Sequence, residues 1–305
     1  MSINSQTKVS MGIDLGGTKI ELAVLDADKK ILLRKRIPTE AERGAKHILD
    51  QIKSLYLSAK AEFPHHSLGV GTPGSLSAST GLLRNSNTVC LNGLPLKRTL
   101  EESLGCEITI ENDANCFALA EATLGAGKAY DFIFGVIMGT GCGGGWIFNK
   151  QLRKGPQHLA GEWGHMVLDP RGLPCFCGHS GCVETYISGS GVERHYAQEI
   201  QTKSNQNQAL SCETIFKQAL RGQNPAAEKV VSEFYERLGQ AVANLINAFD
   251  PDVIVLGGGL SNIEGLLEKC RNSVADKVFT TEFSTPIVRH ELGDSAGVIG
   301  AALLK

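Results

Sequence analysis

The strongest constraint on this chain is a short pattern that occurs twice. An apolar run, Val9 to Asp14, meets Gly16-Gly17 and is followed at once by a second run, Lys19 to Leu25. Two such runs around a tight glycine turn read as a β-hairpin. Beginning at Phe132 the pattern restarts: Phe132 to Met138, a glycine-rich turn over Gly139 to Gly145, then Trp146 to Phe148. Each copy opens a stretch in which strand and helix patterns alternate. Two similar α/β halves facing each other across a cleft are therefore expected, and 305 residues are enough for two cores.

The remaining punctuation supports that reading. Ala45 to Phe63 carries Ile48, Ile52 and Leu55 at helical spacing. Leu68 to Gly71 is a brief strand ending in the loop Gly71 to Gly74. Glu107 to Ile110 is a strand, and Asn112-Asp113 opens a helix to about Leu124. Asn224 and Pro225 are the cap and first residue of a long helix whose apolar stripe is Phe234, Leu238, Val242, Leu245 and Phe249. Asp250-Pro251 stops it, Val253 to Leu256 is a continuous apolar strand, and a helical pattern resumes near Asn262 after three glycines.

Composition excludes several classes. Lys and Arg total 30 against 32 Asp and Glu, a net charge of -2, with no like-charged block to suit nucleic acid or an anionic membrane. Met1 to Ser10 is polar, unlike a signal peptide, and no apolar run approaches a membrane span. A cytoplasmic protein with reduced thiols is expected. Six of nine cysteines (Cys90, Cys106, Cys116, Cys142, Cys212, Cys270) are scattered and read as small buried hydrophobes.

Three glycine loops offer backbone N–H groups of the kind that bind phosphate: Asp14 to Lys19, Gly139 to Gly145 and Gly257-Gly258-Gly259. Each alone could be a hairpin turn or strand end. Gly139-x-Gly141-x-x-Gly144 and Gly69-x-Gly71-x-x-Gly74 fit a dinucleotide fingerprint in spelling only, since neither runs into a helix. The cluster His165-x9-Cys175-x-Cys177-x4-Cys182 has the one-His, three-Cys composition of a closed tetrahedral zinc site, with His179 as a competing ligand. Asp113 sits where a strand gives way to a helix, and an aspartate there commonly serves as a cap.

Taken in order, Asp14-Leu-Gly-Gly-Thr-Lys19, Glu111-Asn-Asp-Ala-Asn115, Gly139-Thr-Gly141, Gly161-Glu-Trp-Gly-His165, the cysteine cluster, Leu256-Gly-Gly-Gly259 and Gly293-Asp-Ser-Ala-Gly297 resemble the ROK family (repressors, open reading frames and sugar kinases) along essentially the whole chain. The resemblance implies the actin/hexokinase-like (ribonuclease H-like) two-domain ATPase fold, α/β in class, with ATP in the interdomain cleft. Its expected limits are 1–115 plus about 290–305 for a small domain and 116–289 for a larger one carrying the zinc loop.

It further implies ATP-dependent phosphorylation of a hexose with Asp113 as general base. Asp14 would lie near the magnesium that arrives with ATP. Gly16, Gly17, Thr18, Lys19, Gly139, Thr140, Gly141, Gly257, Gly258 and Gly259 would hold the nucleotide. Gly74, Asn87, Asn112, Glu162, His165 and Glu184 would hold the sugar, Glu162 and Glu184 accepting from hydroxyls. It selects His165, with Cys175, Cys177 and Cys182, as the structural zinc ligands, and His165 would reach the sugar with its other nitrogen. His158, His179 and His195 remain surface histidines. Gly71 to Gly81, Asn85 to Asn87, Leu91 to Gly93 and Glu184 to Gly189 resemble bacterial fructokinases of the mannokinase-fructokinase type, so fructose is the expected substrate. The alternatives are an N-acetylglucosamine, N-acetylmannosamine or glucose kinase. A sugar-responsive repressor is disfavoured by the short stretch before the first strand, and a zinc hydrolase by a fully ligated metal. Sugar and ATP are the expected partners, without nucleic acid or membrane, and family resemblance implies a homodimer.

Overall fold

A computed structural model of the protein describes residues 9–203 and 209–304. Most of the polar stretch Met1 to Ser10, residues 1–8, lies outside the described residues. The strands are β1 (Val9–Leu15), β2 (Lys19–Leu25), β3 (Ile31–Pro38), β4 (His66–Thr72), β5 (Ser75–Leu76), β6 (Leu83–Arg84), β7 (Thr109–Asn112), β8 (Phe132–Met138), β9 (Cys142–Phe148), β10 (Gln151–Leu152), β11 (Val253–Gly257) and β12 (Ile287–Arg289). The helices are α1 (Ala45–Lys60), α2 (Leu96–Leu104), α3 (Asp113–Leu124), α4 (Val183–Ile187), α5 (Gly189–Lys203), α6 (Cys212–Leu220), α7 (Pro225–Phe249), α8 (Leu266–Ala275) and α9 (Ala296–Leu303).

Two five-stranded sheets repeat one plan. The first has the order β3-β2-β1-β4-β7, the second β10-β9-β8-β11-β12. In the first, β1 pairs antiparallel with β2 and parallel with β4, and β4 is parallel to β7. In the second, β11 is parallel to both β8 and β12. The chain groups into two compact units. Unit 1 is Met1–Lys128, Gly145–Ala160 and Leu292–Lys305, and unit 2 is Ala129–Gly144 and Gly161–Glu291. This grouping differs from the expected limits. α3 belongs wholly to unit 1 because it packs along α9, and residues 145–160 return to unit 1.

In unit 1, α9 lies directly on the backbone of β1 and β4. A Cβ at Gly12 would overlap the carbonyl of Val298, and one at Gly69 the carbonyl of Ala301. α1 and α2 join β1, β2 and β4 in one buried core that includes Met11, Ile13, Leu22, Ile52, Tyr56 and Leu100. In unit 2, α7 begins as its sequence demands. Asn224 Oδ1 accepts from the N–H groups of Ala226 and Ala227, and Pro225 fills the first position. Phe234, Leu238, Val242 and Leu245 are buried, while Phe249 at the helix end is exposed.

Several boundaries shift. α1 stops at Lys60, β7 starts at Thr109, and the residues after Gly259 form a 3-10 turn, with α8 beginning only at Leu266. Gly143 to Gly145 are strand rather than turn, because β9 packs too closely there for side chains: a Cβ at Gly144 would meet Phe134 and Trp163. Of the scattered cysteines, Cys116, Cys142 and Cys270 are buried, Cys106 and Cys212 half-buried, and Cys90 exposed. His195 is half-buried and stacked on Tyr186, with ring centroids 4.8 Å apart.

Candidate functional site

Unit 1 gathers the acidic candidates at the C-terminal ends of its parallel strands. Asp14, near the end of β1, pairs in register with Glu21 on β2 and Gly71 on β4. The turn after it closes by a Gly16 N–H to Lys19 O bond of 2.9 Å. Thr39 takes the turn's carbonyls: its hydroxyl donates to Gly16 O at 2.7 Å and its N–H to Thr18 O at 3.0 Å. A trans peptide sets its C=O and N–H in opposite directions. With Gly16 O turned to Thr39, the Gly17 N–H of the same peptide points the other way. Gly17 lies beside Asn87, whose Oδ1 is 3.8 Å from where a Cβ would stand.

Asp113 opens α3, yet Asn112 caps the helix: its Oδ1 accepts from Ala114 N–H at 2.9 Å and Asn115 N–H at 3.3 Å. Asn112 Nδ2 donates to Gly74 O at 3.0 Å, so two expected sugar residues are joined. Asp113 and Asp14 are electrostatic neighbours. Burial, then Asp113 and Glu21, push the Asp14 carboxyl from 3.8 up to about 7, against the pull of Lys19 and Arg36.

Two carboxylates that brace this region, buried Glu21 and half-buried Glu111, carry no local sequence motif for that role. Glu21 is fully buried and paired with Arg34, with Arg36 at 2.7 Å and, more distantly, with Lys19 at 3.9 Å. The alternation Arg34-x-Arg36 on a strand, which puts both on one face, was the available signal. Glu111 accepts from Asn112 N–H and from Asn115 Nδ2, both at 3.0 Å, and pairs with Lys154 at 3.0 Å.

Unit 2 holds the second loop and the cysteine cluster. His165, Cys175, Cys177 and Cys182 each bring one ligand atom within 4.8 Å of the others. Zinc–sulfur bonds of about 2.3 Å and zinc–nitrogen bonds of about 2.0–2.1 Å at tetrahedral angles put ligand atoms about 3.6–3.8 Å apart. His165 Nδ1 is 3.6 Å from Cys175 Sγ, and Cys177 Sγ is 3.6 Å from Cys182 Sγ, so the donors fit zinc. His165 turns its other nitrogen, Nε2, toward Glu162 Oε2 at 4.0 Å. His179 lies against the cluster, 3.5 Å from Cys177 Sγ, outside the four-atom set. Burial raises the thiols of Cys175 and Cys182, whereas hydrogen bonds with His179, Cys175 and Cys182 outweigh burial at Cys177 and lower its thiol.

Cys182 is also the residue before α4, and Glu184 in the first turn of α4 reaches the glycine loop. Its Oε2 accepts the Cys142 N–H at 2.9 Å. Gly258 of the third loop, at φ 80°, lies against Met138 O, where a side chain would overlap. Beside Gly259 a cavity of about 730 Å³ is walled by Phe216 and Leu220 of α6, Val231 and Tyr235 of α7, and Ile263.

The ROK family matches residues 10–305. The chain belongs to the ROK family. Among its relatives is an N-acetyl-D-glucosamine kinase of Haemophilus influenzae (strain 86-028NP), 36% identical over 305 residues, covering 96% of this chain and 98% of that one. A ROK hexokinase from Thermus thermophilus shares the fold with a TM-score of 0.86 at 33% identity, over 97% of each chain. A ROK glucokinase from Streptomyces griseus, solved with glucose and AMPPNP, has a TM-score of 0.80 at 30% identity, over 96% of this chain and 98% of that one. The actin/hexokinase-like α/β fold is thus as expected.

Proposed function

We propose that this ROK protein transfers the γ-phosphoryl group of ATP to a hydroxyl of a hexose, and that the hexose is N-acetyl-D-glucosamine. The observation that carries the kinase reading is that Asp113 and Asp14 stand at the C-terminal ends of parallel strands beside a glycine turn, close enough for Asp113 to raise the Asp14 pKa. Asp113 takes the hydroxyl proton as the sugar oxygen attacks phosphorus. The new O–P bond forms as the bond to the β-phosphate bridging oxygen breaks, and ADP leaves with the bridging electrons. Asp14 would lie near the magnesium that enters with ATP. Gly17, Thr140 and Gly141 supply phosphate donors, and the cavity at Gly259 suits a nucleobase in chemistry and size. Glu162, His165 and Glu184 accept or share hydrogen bonds with sugar hydroxyls. When bound, zinc fixes the loop bearing them, held by His165, Cys175, Cys177 and Cys182.

The choice of sugar departs from the fructose expectation. Fructose rested on segments such as Gly71 to Gly81, whereas whole-length relatives at 36–38% identity bear the name N-acetyl-D-glucosamine kinase. Those segments still favour fructose as the second reading. ADP release over N-acetylglucosamine, N-acetylmannosamine, glucose, mannose and fructose tests both. We expect the highest kcat/KM with N-acetylglucosamine. A higher value with fructose restores the second reading, and turnover with no sugar ends the kinase proposal. A homodimer, about twice 32.6 kDa by light scattering, belongs to the same proposal.

A further inference from the structure

The second glycine loop is fixed plane by plane. Gly189 N–H donates to Gly139 O at 2.8 Å, and both the N–H and the hydroxyl of Ser190 donate to Thr140 O, at 3.4 and 2.7 Å. These two amides belong to the first turn of α5, where helix N–H groups lack intrahelical partners. No peptide in the described chain is cis. Turning the carbonyls of residues 139 and 140 toward α5 therefore aims the N–H groups of Thr140 and Gly141 away from it. The third plane joins Gly141 to Cys142. Its carbonyl accepts the Gly139 N–H at 2.9 Å, and its N–H is taken by Glu184 Oε2 at 2.9 Å. The carboxylate fits closely, since a Cβ on Gly141 would stand 2.8 Å from Glu184 Oε2.

We infer that Glu184 is a positioning residue for the nucleotide as well as a contact for the sugar: one carboxylate oxygen locks the Gly139–Cys142 turn into its phosphate-accepting form. This rests on the kinase reading above. A carboxylate beside a phosphate site also repels the ligand. The inference requires the hydrogen bond to outweigh that repulsion, and a substitution that keeps the acceptor while removing the charge separates the two.

The test is the affinity of the magnesium complex of a non-hydrolysable ATP analogue, measured calorimetrically without any sugar. A residue touching only sugar leaves that number unchanged. Loss of a charge-assisted hydrogen bond predicts that Glu184→Ala binds the analogue about tenfold more weakly. Glu184→Gln, which can still accept from Cys142, stays within about threefold of the original while raising the sugar KM. The inference is overturned by an unchanged Glu184→Ala, by tighter binding in both variants, or by equal weakening in both. Glu184→Gln also guards against a folding defect, because its shape is conserved. A wild-type protein that binds no nucleotide overturns the kinase reading and this inference with it.

Discussion

Asn112 and Asp113 divide one job that either could have done. Asn112 Oδ1 accepts from the Ala114 and Asn115 amides of α3, and Asp113 Oδ1 shares the Ala114 N–H at 2.8 Å. Asn112→Ala should destabilise the protein by about 1 kcal/mol in denaturant unfolding. Asp113→Ala should lower kcat about 10²- to 10⁴-fold with unfolding near that of the wild type. Retention of half the activity by Asp113→Ala would remove it as the base. Asp14 adds a pH signature. Its folded value near 7 lies above its unfolded value of 3.8, so the folded state holds the proton more tightly. Stability is then fully present below about pH 4 and falls as pH rises toward 7. Asp14→Asn should flatten the slope of Tm against pH over that window, and an unaltered slope would refute the assignment. Asp14, Gly17 and Asp113 could be nominated from the sequence because their motifs are local. Glu21 and Glu111 could not, since their partners Arg36 and Lys154 come from distant parts of the chain.

At the level of elements, legibility followed signal strength. α7 announced itself by cap, proline and stripe, and is found as expected. α9 was not foreseen: Ala296 to Leu303 is apolar on nearly every side, and an eight-residue apolar run has no period to distinguish helix from strand. The His165, Cys175, Cys177 and Cys182 cluster was legible in its spacing but not in its reach, because Cys182 leads into α4 and so toward Cys142. Cys177→Ser should lose zinc by elemental analysis and raise the KM for sugar several-fold. Full sugar affinity in a metal-free variant would show that the cluster braces nothing.

At the scale of the molecule, the repeated sheet order bears out the reading of two α/β halves each opened by a hairpin. The chain passes between the two units at 128–129, 144–145, 160–161 and 291–292, and the repeated pattern marks none of these crossings. No described helix is long and apolar enough to cross a membrane. A net charge of -2 predicts no retention on DNA even at low salt, checked by fluorescence anisotropy of a labelled duplex; tight binding would reopen the repressor reading. The seat of α9 on Gly12 and Gly69 also sets a timetable for biogenesis. As a ribosome emits this polypeptide, every residue of unit 2 emerges before α9 does. The sheet made first thus waits with one flank bare until all of unit 2 has emerged, inverting the usual amino-terminal-first order of co-translational folding.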